Sequence, residues 1–236
     1  MKKLLLISNS TNFGEEYLSY TKPSIRNFLE KNYKTVLFIP YAGVTVNWDD
    51  YTTKVSSVFN ELGYKVDPIH KHNNPVDAVK NAEVIVIGGG NTFHLVYMLH
   101  KTGIIKAIRE KVNSSTPYIG WSAGSNVACP SLCTTNDMPV IQPDSFNCIG
   151  LIPFQINPHY TDFIQPNHAG ETREQRLQEY LKVNQNMNVV GLREASILKI
   201  EGNKMKLIGE KSLRYFKYGK EPQEFSSSDN LDFLLQ

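Results

Sequence analysis

Pro117-Tyr118-Ile119-Gly120-Trp121-Ser122-Ala123-Gly124 reads as a buried strand that stops at a sharp turn. Apolar and ring residues lead into Gly-x-Ser-x-Gly, and Ser125-Asn126-Val127-Ala128-Cys129 continues in a pattern that suits a helix. A serine on such a strand-to-helix elbow lifts its hydroxyl above the sheet edge. Flanking glycines let the backbone turn and leave room for a substrate. The pentapeptide alone is unspecific, since tight turns hold serine for structural reasons too. The strand before it and the helix behind it give it weight.

Outward from this elbow, strands and helices alternate. Leu4 to Ile7, Thr35 to Ile39 and Val84 to Ile87 are short apolar runs that read as strands, and Lys65 to Ile69, with its Lys, Asp and Pro, reads as a weaker one. Between them, Leu18, Ile25, Phe28 and Leu29 lie at helical spacing around Pro23. Tyr51, Val55, Val58, Phe59 and Leu62 form one helix face, with Gly63 where a helix C-terminal glycine belongs. Phe93, Val96, Leu99, Ile104, Ile105, Ile108 and Val112 supply further faces. Strands joined by crossovers of this length pair in parallel. The expectation is one doubly wound, mostly parallel α/β sheet with helices on both faces. Ligands of such sheets sit at the carboxyl ends of the strands. Gly88-Gly89-Gly90 and Ser122 both stand at such ends.

Beyond the elbow the chain loosens. Residues 130–170 carry six prolines and many polar residues, a composition typical of loops that hold site residues. A polar helix is predicted from near Gly170 through Leu181. Asn188 to Leu192 reads as a strand, and Ser196–Ile200 with Lys204–Ile208 as a C-terminal β-hairpin around Glu201-Gly202-Asn203. Arg214 to Tyr218 can add a last strand. Residues 220–236 read as a frayed tail, and no linker or repeat divides residues 1–236 into more than one domain.

Composition narrows the function classes. Of 236 residues, 41% are hydrophobic and 20% charged, as in ordinary globular proteins. A net charge of +2 with scattered Lys and Arg gives no footprint for nucleic acid. Met1 to Ser8 has a basic start and an apolar run, but the run is too short for a signal peptide. No apolar stretch reaches membrane-spanning length. Three cysteines, Cys129, Cys133 and Cys148, match neither a disulfide framework nor a zinc site and suit a reducing, cytoplasmic compartment.

A serine hydroxyl needs a base, and the base needs an acid to orient it. Of the six histidines, His70 and His72 sit in a polar turn, His94 and His100 in a helix, and His168 in a loop. His159 follows Gln155-Ile156-Asn157-Pro158, just past a strand end on the right rim. Two acids compete to orient it. Asp137 lies in a loop after the elbow helix, and Glu194 at the end of the strand 188–192. Neither gives the order and spacing of an α/β-hydrolase. The N–H of Ala123 and those of the glycine turn, Gly89 and Gly90, are candidates for an oxyanion hole. The same turn could instead cradle a phosphate, although it lacks the Gly-x-Gly-x-x-Gly and Walker patterns. Arg173 and Arg176 share a helix face. Such a pair suits a substrate carboxylate, and also an ordinary solvated helix.

Seven blocks together carry a resemblance that runs along nearly the whole chain. They are Leu5–Thr11, Phe38–Thr45, Gly88–Phe93, Gly120–Gly124, Thr134–Pro139, Gln155–His159 and Gly170–Arg176. In these the chain resembles the peptidase E family of α-aspartyl dipeptidases. The resemblance implies a flavodoxin-like fold, similar to the class I glutamine amidotransferases. It also implies a cytoplasmic serine exopeptidase, without metal or cofactor, that cleaves dipeptides with N-terminal aspartate. Ser122 would be the nucleophile and His159 the base, with Asp137 and Glu194 both matching as the third member. Arg173 would bind the aspartyl carboxylate. Arg193 and Ser125 depart from the family's usual smaller residue or proline and its usual alanine. The rival readings are a hydrolase of other aspartyl amides, as in cyanophycin-degrading relatives, and a non-catalytic flavodoxin-like module binding phosphate at the glycine turn. The expected partner is a small peptide, with neither nucleic acid nor membrane. The oligomeric state is left between monomer and homodimer.

Overall fold

A computed structural model describes residues 1–30, 32–164, 166–167 and 169–236. The expected alternation is present. Strands β1 (Lys3–Ile7), β2 (Thr35–Ile39), β3 (Lys65–Pro68), β4 (Ile85–Ile87) and β5 (Tyr118–Trp121) are parallel and ordered β3-β2-β4-β5-β1. Their residues alternate between two apolar layers. Leu4, Leu6, Leu37, Ile39, Ile85 and Ile87 face one layer, and Leu5, Ile7, Val36, Phe38, Val84 and Val86 the other. Both faces are therefore buried, which is why β1, β2, β4 and β5 read as apolar runs rather than alternating ones, while β3 at the sheet edge does not.

Helices α1 (Lys22–Leu29) and α2 (Trp48–Glu61) cover one face. The other carries α3 (Pro75–Asn81), α4 (Thr92–Lys101), α5 (Ile104–Asn113) and the single turn α6 (Ala123–Asn126). Their starts follow local chemistry. The Asn47 side chain accepts the Asp50 N–H at 2.8 Å to cap α2, and Pro23 and Pro75 sit in first turns where a missing N–H costs nothing.

The hairpin of β8 (Ile197–Glu201) and β9 (Lys204–Ile208) forms as expected. It extends the same sheet, antiparallel to β1, giving seven strands. The expectation of a single sheet needs correction. Strands β6 (Gln155–Tyr160), β7 (Asn188–Arg193), β10 (Leu213–Lys217) and β11 (Gln223–Phe225) form a second, four-stranded sheet in the order β11-β10-β7-β6. In the first sheet β4, β5 and β1 have neighbours on both edges and β8–β9 covers the far side of β1, so later strands had no interior place to pair. Ile156, Val190, Leu192, Leu213 and Tyr215 instead pack into the same apolar layer as α3–α6. Helix α7 (Arg173–Val183) seals the outer face of the second sheet through Leu177 and Leu181 on Val189 and Phe216.

The tail is also corrected. Residues 220–236 do not fray: β11 pairs with β10, and Leu231 and Leu234 are fully buried. Two leucines within a polar stretch give too little periodicity to announce this, but each gains the free energy of burying a whole side chain.

Candidate active site

Ser122 sits between β5 and α6 with φ 53° and ψ −113°, a conformation most side chains avoid. The surroundings over-determine it. Its N–H donates to the Ile7 carbonyl at 3.0 Å, and its carbonyl accepts from the N–H groups of Ser125 and Asn126 at 3.0 Å each. The two glycines are there for close approach. A Cβ on Gly120 would stand 2.4 Å from the Gly124 carbonyl oxygen, and one on Gly124 would stand 2.2 Å from that of Ile87. Ser125 is fully buried and donates to the carbonyls of Ile7 at 2.7 Å and Gly120 at 2.8 Å. This hydroxyl ties the elbow to the end of β1.

His159 lies near the end of β6, at the irregularity between Pro158 and Tyr160 in the pairing with β7, and has φ 53°. This break turns the imidazole toward the first sheet. Its Nε2 is 2.9 Å from Ser122 Oγ, and its Nδ1 is 2.7 Å from Glu194 Oε1. Glu194 directly follows β7. An ionised carboxylate can only accept, so Nδ1 carries the proton and Nε2 offers its lone pair to the serine hydroxyl. Buried polar residues at the end of β1 hold this arrangement. Ser8 Oγ accepts the His159 N–H at 2.9 Å and donates to the Leu192 carbonyl at 2.7 Å. Asn9 Oδ1 accepts the Ala195 N–H at 2.8 Å and the Tyr20 hydroxyl at 2.7 Å. Burial pushes the Tyr20 phenol well up, which keeps it a donor.

The second candidate acid is turned elsewhere. Asp137 Oδ2 accepts from the Thr92 N–H at 2.7 Å, the Thr92 hydroxyl at 2.6 Å and the Thr135 hydroxyl at 3.1 Å. It caps α4, where a negative charge meets unpaired N–H groups, and it anchors the residues following the glycine turn. Sequence order could not separate Asp137 from Glu194. The separation comes from which strand end faces His159.

The glycine turn lies against the serine. A Cβ on Gly89 would be 3.0 Å from Ser122 Cβ. Tyr51 Oη donates to the Gly89 carbonyl at 2.9 Å, and Trp121 Nε1 donates to the same hydroxyl at 3.2 Å. The Asn91 N–H donates to the Ala42 carbonyl at 2.9 Å. Gly90 has φ +133°, and a Cβ there would fall 2.3 Å from the Ala42 oxygen. Among the described residues the N–H groups of Gly89, Gly90 and Ala123 have no acceptor. Gly89 and Gly90 line the cavity over Ser122, while Ala123 opens α6.

That cavity is about 560 Å³ and is walled by Tyr17, Val44, Val46, Tyr51 and Trp121 among others. Arg173 and Arg176 do not line it. They face a separate cavity of about 220 Å³ with Thr161, Phe163 and Ile164. A third, of about 510 Å³, lies beside both: it shares His159 with the first and Thr161 and Phe163 with the last. Arg173 is the first residue of α7, and burial and then the charge of Arg176 push its guanidinium below its ordinary value. Arg176 lies 3.8 Å from Glu171. His70 pairs with Asp49, His72 with Asp67, and His94 and His100 with backbone carbonyls, all away from the serine; His168 lies outside the described residues.

Residues 4–208 match the sequence model of Peptidase family S51. The chain belongs to peptidase family S51. As a member it is a serine-type peptidase. It is 55% identical to peptidase E of Nostoc sp. over 235 residues, covering 100% of this chain and 97% of the relative. It is 43% identical to peptidase E of Shewanella amazonensis over 233 residues, covering 99% of each. Two solved structures share the fold. A protein from Listeria monocytogenes EGD-e, assigned to peptidase E, superposes with TM-score 0.69 at 23% identity, covering 89% of this chain and 98% of its own. A peptidase from an acI-B1 actinobacterium gives TM-score 0.70 at 19% identity, covering 98% and 96%. For this S51 chain, the missed contributors to the site are Ser8, Asn9 and Tyr51. Their signal was weak: Ser8 and Asn9 end a strand on the serine's rim, but nothing in the sequence says what they bond.

Among the described residues no helix is long and apolar enough to cross a membrane, and no group of three or more His, Cys, Asp or Glu side chains is placed to hold a metal ion.

Proposed function

We propose that this peptidase hydrolyses dipeptides with N-terminal aspartate, through an acyl-enzyme on Ser122. The observation that carries the reading is the unbroken line from Ser122 Oγ to His159 at 2.9 Å and from His159 to Glu194 at 2.7 Å. His159 Nε2 takes the hydroxyl proton as Oγ attacks the aspartyl carbonyl carbon, and then passes that proton to the leaving amine. Glu194 keeps the imidazole in the required tautomer and stabilises its positive form. The free N–H groups of Gly90 and Ala123, with Gly89 beside them, receive the developing oxyanion. A water activated by His159 then releases aspartate. In this scheme Asp137 acts at one remove, by fixing the end of the glycine turn.

Arg173 is assigned to the β-carboxylate of the substrate. It is half-buried, it has no carboxylate within ion-pair distance among the described residues, and the neighbouring Arg176 adds positive field. An uncharged first residue would leave that half-buried guanidinium without its anion, at a cost of about 1.5–3 kcal/mol, that of one charge-assisted hydrogen bond. The three free cysteines, two of them buried thiols, fit a reducing compartment such as the cytoplasm.

The test pairs labelling with turnover. Wild type should gain one adduct from an organophosphonate serine reagent by intact mass, and Ser122→Ala none. An adduct that survives Ser122→Ala sinks the mechanism. Hydrolysis of Asp-Leu, Glu-Leu and Asn-Leu should show strong aspartate preference that Arg173→Ala removes. Full preference in that variant would reject the pocket assignment. Faster cleavage of β-aspartyl or multi-aspartyl substrates than of Asp-Leu would point to an aspartyl-amide hydrolase instead.

A further inference from the structure

An Asp-Xaa dipeptide carries two carboxylates, one on each side of the scissile bond, and the arginine pair accounts for one. The cavity directly over Ser122 holds a different cation. Lys54 lies on α2 one turn after Tyr51, so the two share a helix face. Tyr51 reaches the Gly89 carbonyl at 2.9 Å, which makes this face a wall of the site. The Lys54 ammonium lies 4.2 Å from the centroid of the Tyr17 ring. That ring packs edge-on against Trp121, the residue before the serine, at 6.4 Å. Lys54 and His159 are the cationic or titratable basic side chains bordering the cavity among the described residues.

Lys54 is also uncommitted. The acids of its helix are engaged elsewhere: Asp49 with His70 and Lys71, Asp50 with Asn47, and Glu61 with Lys22. No described carboxylate lies within ion-pair distance of Lys54. The Lys54 side chain is exposed, and an ammonium resting over an aromatic face keeps N–H donors open to the cavity. Val44, Val46, Tyr17 and Trp121 give the wall apolar surface, which suits the side chain of the second residue.

We propose that Lys54 binds the C-terminal carboxylate of the dipeptide and so makes the enzyme a reader of chain ends. This rests on the dipeptidase reading above and deepens it. Arg173 would sense the first residue's charge and Lys54 the chain terminus two carbons past the leaving nitrogen. A longer peptide or a C-terminal amide would place a neutral group against the ammonium.

The experiment measures kcat and KM for Asp-Leu and for Asp-Leu-amide at one pH and ionic strength, with wild type, Lys54→Met and Lys54→Arg. Wild type should prefer the free acid by about 10- to 100-fold in kcat/KM, the range of one charge-assisted hydrogen bond. Lys54→Met should lose that factor on Asp-Leu, chiefly through KM, while its rate on the amide falls no more than about threefold. Lys54→Arg should retain the acid preference. Equal loss on acid and amide, or no loss on either, overturns the proposal. So does a Lys54→Met that keeps the acid-over-amide ratio and loses aspartate-over-asparagine selectivity, since the lysine would then be reading the β-carboxylate. Labelling of Lys54→Met by the organophosphonate at the wild-type rate shows that the fold and Ser122 are intact. If wild type cleaves no Asp-Xaa peptide, the functional reading itself has failed, and that outcome is separate from the acid-to-amide ratio.

Discussion

Ser122 stands on the seven-stranded sheet, whereas His159 and Glu194 stand on the four-stranded one. The serine is positioned by its immediate surroundings. Gly120 and Gly124 flank it, Ser125 bonds back to Gly120, and the adjacent strands β1 and β4 supply the carbonyls that crowd the elbow. The histidine and glutamate are positioned by distant parts of the chain. Ser8 bonds to His159, 151 positions away, and to Leu192, 184 positions away; Asn9 bonds to Ala195, 186 positions away. Ser122 is thus placed by its own turn and the strands beside it, and His159 by the docking of one sheet against the other. Buried hydrogen bonds at the end of β1 form the joint.

If that contrast is right, the largest loss should come from cutting the line within the second sheet's contribution. Glu194→Gln should lower kcat by about 10²- to 10⁴-fold, as a relay acid that sets the imidazole tautomer does, with KM for Asp-Leu little changed. Asp137→Asn should cost about tenfold or less, because it touches the oxyanion turn at one remove. The reverse ranking would make Asp137 the functional acid and break the assignment. The joint itself comes next. Ser8→Ala removes one donor and one acceptor in a fully buried spot and leaves the His159 N–H unpaired. A loss of about 1–3 kcal/mol in stability and a roughly tenfold lower kcat are expected, while organophosphonate labelling should slow by the same factor. Unchanged labelling with lowered stability would mean that the joint holds the sheets but not the imidazole.

The smallest expected effect sharpens the comparison from the far edge of the second sheet. Arg193, next to Glu194, does more than border the cavity beside His159. It pairs with Asp162 at 2.6 Å and with Glu224 at 2.7 Å, and Arg214 joins Glu224 at 2.9 Å and Glu174 at 2.7 Å. Burial raises the Glu224 pKa, but the two guanidinium groups outweigh it and hold the carboxyl below its ordinary 4.5. A folded-state pKa depressed in this way contributes stability above the unfolded value, and the contribution is lost as pH falls through the folded one. Wild type should therefore melt about 2 °C above Glu224→Gln at pH 7, a partly exposed network being worth little, and the gap should close on acidification below 4.5. A gap that persists in acid would place the effect in packing rather than charge.

Legibility followed the same division. The central strands β1, β2, β4 and β5 announced themselves because burial on both faces demands an apolar run. The Gly-x-Ser-x-Gly elbow was readable because the close approach that requires glycine is set by neighbours in sequence or in the next strand. His159 was recognisable as a residue at a strand end. The strand carrying it was visible too, but not the sheet to which it belonged. Strand patterns specify a face to bury, not an edge to pair with. Tail residues Leu231 and Leu234 failed to register because two buried positions make no period.

By itself the sequence determined the alternating α/β order, the elbow with Ser122 at its tip, the glycine turn, and a histidine with Glu194 on the same rim and Asp137 as a rival acid in a loop. Tertiary structure alone decided which acid meets the imidazole, that two sheets rather than one share the site, and that Arg173 and Lys54 open into different cavities. The physical reason is range. Steric fit at a turn and burial of a strand face are written within a few residues, whereas a hydrogen bond between Ser8 and His159 exists only once every intervening strand has found its partner.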